Sequence, residues 1–149
     1  VNICKEAGLI TETSLVIGYP QETKETLKET FTKCERLGIY PSTGFLLPLP
    51  ETGMFKYAVE NGYIKDVDHY LTQITERQDF SLNMTQIEEK ELQDETLKWL
   101  KRLNKTFDNQ LDESKLLKTG GTDQTIHQTK QRNKKKESLN YALAEGGIG

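Results

Sequence analysis

Two short runs, Leu15-Val16-Ile17 and Phe45-Leu46-Leu47, are apolar at every position and bounded by turn residues. Such runs mark strands covered on both faces, as in a parallel sheet, because an alternating pattern is needed only where one face meets water. Between them, Leu27, Phe31 and Cys34 recur at helical spacing, with lysines and glutamates on the opposite side. That pattern predicts an amphipathic helix over Thr23 to Leu37, capped by Thr23 and stopped by Gly38. A second helix is expected over Gly53 to Asn61, ending at Gly62.

Shifting the chain by 30 positions lays Cys4 on Cys34, Gly8 on Gly38, Thr13 on Thr43 and Pro20 on Pro50, and the first apolar run on the second. Each copy reads as helix end, glycine, polar connection, strand and proline-containing loop. Strand, helix, strand at this spacing is a βαβ crossover, and the repeat makes it one of a series. The residues therefore predict an α/β fold, the last part of a barrel or of an open sheet. Val1 to Ala7 read as the tail of a helix stopped by Gly8, so the beginning is read as a truncation.

Further on, Thr85-Gln86-Ile87-Glu88 has the form of a capping box opening a long helix. Its core-facing stripe is Leu92, Leu100, Leu103, Phe107 and Leu111, with Thr96 and Trp99 alongside. Beyond Glu113 the periodicity fails. Ile126 is the sole aliphatic residue from Lys118 to Glu137, which also holds Gly120-Gly121 and the run Lys134-Lys135-Lys136. Such a segment buries too little surface to offset its ordering entropy, so a disordered tail is expected. The basic run reads as a solvated tail and not as a nucleic-acid contact. Three segments follow: 1–64 with two β/α units, 65–112 as a helical extension, and 113–149 as the tail.

Composition narrows the class. Of 149 residues, 34% are hydrophobic and 29% charged, with a formal net charge of -3. This apolar share suits one small domain with a part that joins no core. No apolar run approaches the roughly 20 residues needed to cross a bilayer, and no secretory signal pattern opens the chain. A cytoplasmic protein with no membrane partner is the expectation. Cys4 and Cys34 form no C-x-x-C pair and read as free thiols, so no metal-ligating or catalytic residue is assigned.

Ligands of parallel β/α architectures bind at the C-terminal strand ends. Two loops occupy that place, Gly18-Tyr19-Pro20-Gln21-Glu22-Thr23 and Pro48-Leu49-Pro50-Glu51-Thr52-Gly53. Gly18 permits close approach to the backbone, and the prolines stiffen the loops. Neither loop carries the glycine-rich cradle and lysine of a phosphate-binding loop.

The stretch Ser14-Leu15-Val16-Ile17-Gly18-Tyr19-Pro20-Gln21-Glu22-Thr23 resembles the fifth-strand motif of radical S-adenosylmethionine enzymes, an apolar strand followed by G-x-P-G-E-T. Phe45 to Gly53 with Met54-Phe55 is similar to their sixth-strand segment. Gly62-Tyr63-Ile64-Lys65-Asp66 resembles the usual continuation, and Thr75 to Asp79 with Asn83-Met84-Thr85 resembles the cobalamin-binding branch. The resemblance covers about Cys4 to Leu103. It implies the C-terminal fragment of a partial (β/α)6 TIM-like barrel, whose parent cleaves S-adenosylmethionine at a [4Fe-4S] cluster to drive hydrogen abstraction or methylation.

Carried over, Val16, Ile17 and Gly18, with Pro20, would line the adenine site, and Pro48 and Leu49 would lie beside it. Glu22 matches the motif's acid, whose implied role is to order the loop. Gln21 and Glu51-Thr52-Gly53 depart from the motifs. No C-x-x-x-C-x-x-C occurs, and a cluster needs thiolate ligands, so the fragment alone is expected to be inactive. Its expected partner is the missing N-terminal part of the same enzyme, which would hold the cluster and, by the same resemblance, cobalamin. The competing expectation is a small non-catalytic interaction protein with a helical surface and a basic tail.

Overall fold

The computed structural model describes residues 1–9, 11, 13–74 and 79–117. Their order is α1 (Asn2–Glu6), β1 (Ser14–Ile17), α2 (Lys24–Leu37), β2 (Ser42–Phe45), α3 (Gly53–Glu60), α4 (Val67–Gln73) and α5 (Glu89–Thr106), then a 3-10 turn at Glu113–Lys115. β1 and β2 pair in parallel, with Ser14 opposite Ser42 and Ile17 opposite Phe45. α2 is the crossover between them. Thr23 caps it by accepting from the Thr26 N–H, and Gly38 ends it in the left-handed conformation at φ 62°. Both were legible as cap residues.

Side chains alternate across the short ladder. Leu15, Ile17 and Phe45 join Leu27, Phe31 and Cys34 of α2 and Leu92, Leu100 and Leu103 of α5 in one apolar cluster. Val16 and Leu46 join Ala58, Ile64, Tyr70 and Met84 in a second. Both faces of the sheet are thus covered, as a parallel pair requires. α5 runs alongside α2 in the same direction. The Phe31 and Trp99 rings stack with centroids 5.9 Å apart, and two ion pairs bridge the helices, Lys24 to Glu91 at 2.5 Å and Glu35 to Arg102 at 2.9 Å. These pairs are exposed or partly so and add at most about 1 kcal/mol each, so the apolar stripe decides the packing.

The expected partial (β/α)6 TIM-like barrel is not what the chain forms. Among the described residues there are two strands and five α-helices, a small mixed α/β fold. The physical reason lies after α3. Residues 79–88 enter no strand, and α5 lies along α2 and closes the sheet face with its own stripe. Two strands covered in this way set neither the curvature nor the stagger of a barrel wall.

Smaller expectations shift too. The second strand is Ser42–Phe45, earlier than the apolar run, because the ladder's last bond comes from the Leu46 N–H and Pro48 has no N–H to continue it. Thr85 does not cap α5. Its hydroxyl accepts from the Ile87 N–H at 3.1 Å and donates to the Asn83 side chain, so the cap falls to Glu88. Within 113–117, Leu116 is packed: it is 1% exposed, and its carbonyl accepts from the Tyr40 hydroxyl at 3.3 Å, while Glu113, Ser114 and Lys115 stay exposed. The rest of the expected tail, 118–149, and the Thr75–Gln78 part of the resemblance lie outside the described residues. No described helix is long and apolar enough to cross a membrane.

Phe31 is fully buried where α2, the sheet and α5 meet. Phe31→Ala is expected to lower the unfolding free energy by about 3–5 kcal/mol, a large part of a small domain's stability. Lys98→Ala, at an exposed pair within α5, should change it by less than about 0.5 kcal/mol. Urea titration followed by Trp99 fluorescence measures both.

Candidate functional site at the strand ends

Parallel pairing brings the C-terminal ends of β1 and β2 side by side, and with them the two loops singled out from the sequence. The Leu46 N–H donates to the Ile17 carbonyl at 2.7 Å, closing the ladder. The chain then turns at Gly18, with φ at 108°, a value L side chains rarely adopt. Leu46 lies directly behind it: a Cβ on Gly18 would sit 3.7 Å from the Leu46 Cβ, in ordinary contact. Backbone conformation, and not lack of space, therefore selects glycine here.

From Gly18 the chain folds back on itself. The Glu22 N–H donates to the Tyr19 carbonyl at 2.9 Å, with Pro20 and Gln21 at the corners of the turn. The Glu22 carboxylate accepts from the Gly18 N–H at 2.5 Å and from the Tyr19 N–H. The acid thus ties the end of the loop back to its start. Burial raises its pKa above the ordinary carboxylate value, and the two N–H donors counter that effect without overcoming it.

The second loop is tied locally. The Thr52 hydroxyl donates to the Leu49 carbonyl at 2.7 Å and accepts from the Phe55 N–H, capping α3. Glu51 adopts φ 65° to make the corner. Where this loop leaves the sheet, the Pro48 carbonyl accepts from the Tyr70 hydroxyl of α4 at 2.9 Å.

The sequence-derived residues fall into two groups. Ile17 is 1% exposed and packed in the first cluster, and Pro48 is fully buried, so the fold consumes both side chains. Val16 is half-buried against the second cluster, and Gly18 is buried at the turn. Pro20 and Glu22 are half-buried, and Leu49 is 49% exposed. The surface offered at this end is the rim formed by Tyr19, Pro20, Glu22 and Leu49. The odd-numbered residues of β1 bond to β2, as the Thr13 and Ile17 carbonyls show, which turns the backbone groups of Ser14 and Val16 to the other edge.

Sequence reasoning missed Tyr19 and Tyr70. Tyr19 was legible as an exposed aromatic within the motif. Tyr70 was not, because nothing local links it to a carbonyl 22 residues earlier.

The rim carries no cation. Lys24, the first residue of α2 after the loop, is paired with Glu91. A neutral planar group suits such a rim better than a phosphate does. An iron–sulfur cluster does not fit: the chain has two cysteines, and no group of three His, Cys, Asp or Glu among the described residues could hold a metal. Cys34 is buried on α2, and burial pushes its thiol pKa up, away from the thiolate a metal needs. A separate groove of about 610 Å³ runs between α2 and α5 and includes no residue of either loop. No protein-family model, curated protein or solved structure matches the chain.

Because the Glu22 pKa is raised in the folded state, the folded state holds its proton more tightly than the unfolded one. Its contribution is full below about pH 4.5, the ordinary glutamate value, and is lost as pH rises through the raised folded value. Urea unfolding across this range is expected to show wild-type stability falling with pH by an increment that Glu22→Gln lacks. Identical pH profiles for the two proteins would contradict the burial argument.

Proposed function

We propose that this chain is the C-terminal part of a radical S-adenosylmethionine enzyme and that the two loops at the strand ends form its share of a nucleoside site. The observation that carries the reading is the Gly18 turn, backed by Leu46 and tied by Glu22, beside a proline-rich loop on the neighbouring parallel strand. In this reading Val16 and Gly18 present backbone groups and a surface without a side chain to the base. Leu49 supplies an apolar contact and Tyr19 an aromatic one. Glu22 holds the loop and transfers no proton. S-adenosylmethionine supplies the radical or methyl chemistry when bound, and the cluster thiolates belong to another part of the parent.

With most of the site contributed from elsewhere, the chain alone should bind weakly. Titrating it with S-adenosylhomocysteine is expected to shift the backbone NMR signals of Gly18 to Glu22 and of Leu46 to Thr52, half-saturating near roughly 1 mM, about 4 kcal/mol of binding. Adding Gly18→Ala should abolish these shifts. Shifts confined to the groove between α2 and α5 would overturn the reading and favour the interaction protein. Micromolar affinity would contradict the fragment assignment.

A further inference from the structure

We infer that Tyr70 is a positioning residue for the loop after β2, setting where Leu49 and Pro50 stand at the sheet end; the ligand half of this inference rests on the nucleoside reading above. β2 contributes its last ladder bond through the Leu46 N–H. Pro48 has no N–H, and Pro50 has none either, so the loop can donate little back to the sheet. Its other ties run within the loop, from Thr52 to the Leu49 carbonyl, or to the helix that directly follows it, from the Phe55 and Lys56 N–H groups to Thr52, so none reaches back across the fold. The bond from the Tyr70 hydroxyl to the Pro48 carbonyl, 2.9 Å long and buried, joins the loop to a different element.

Tyr70 is itself well held. It is 7% exposed in the second apolar cluster, and its ring lies 6.0 Å from that of Phe55 at a 45° tilt. α4 is capped by Asp66, which accepts from the His69 N–H at 2.9 Å. A ring serving only to fill space would need no hydroxyl. Here the hydroxyl meets the carbonyl of the last buried residue before exposed Leu49 and Pro50. Burial also raises the pKa of the phenol, moving it further from neutral pH, where the hydroxyl is already a donor.

Tyr70→Phe separates the two roles, since it keeps the ring and removes the bond. In the full chain, this variant should retain the wild-type amide exchange of α2 and α5. Exchange at Thr52 should rise about fivefold to tenfold, and the signals of Leu49 to Thr52 should move, as expected for loss of one buried hydrogen bond. Half-saturation by S-adenosylhomocysteine should rise by a similar factor. Tyr70→Leu, which loses the ring as well, should also speed exchange across the second cluster. Unchanged signals and exchange at Leu49 to Thr52 in Tyr70→Phe would overturn the inference, as would faster exchange throughout the chain. If the loop responds while wild type shows no S-adenosylhomocysteine shifts, positioning of the loop stands and the nucleoside reading fails.

Discussion

The pairing of Ser14–Ile17 with Ser42–Phe45 holds the rest in place, and at four residues a strand it cannot hold itself. Two strands in water are marginal, and a parallel pair lacks the tight turn that helps an antiparallel one. The pair survives because successive side chains leave it in opposite directions into separate apolar clusters. Leu15, Ile17 and Phe45 go one way, Val16 and Leu46 the other. α2 is part of the first cluster by connectivity. α5 is part of it only by packing, through Leu92, Leu100 and Leu103 and the Trp99 stack on Phe31. α5 shares this cluster with α2 and both strands, so the helix read as an extension is structurally part of the β/α core.

This dependence explains which parts of the fold were legible in the sequence. Thr23, Gly38 and Thr52 act within one helical turn, and the local sequence states their roles directly. The stripe of α5 was legible as a buried face, but its partner was not. A 3.6-residue period says that a face is covered without saying by what. The barrel expectation failed at that point, since it assumed that helices follow strands around a wall and left no helix free to lie along α2. Thr85 failed for a related reason: it fits a capping box, but Asn83 and Ile87 use its hydroxyl first.

The candidate site divides along the same line. Gly18 and Glu22 were legible because they lie four residues apart and meet through a local turn. Ile17 and Pro48 were singled out by position in a motif, and their side chains instead serve the core. An apolar residue at a strand end can face a ligand or a neighbouring helix, and sequence alone does not distinguish the two directions. Tyr70 is the opposite case, a residue without a motif whose hydroxyl reaches the site's frame across the second cluster.

Charge then limits what this end of the sheet can receive. An anionic ligand at the rim would meet the Glu22 carboxylate, while Lys24 is engaged by Glu91 of α5. Like charges at short range are costly where water is partly excluded. The two N–H groups that could have served an incoming anion, from Gly18 and Tyr19, already point at Glu22. At the helix N-terminus that follows, the Thr26 N–H is likewise engaged by the Thr23 hydroxyl. The Gly18 and Tyr19 N–H groups and the Lys24 ammonium are therefore engaged by the protein's own carboxylates. What remains open is apolar, aromatic or backbone surface, and a ligand recognised there must present a neutral face to it.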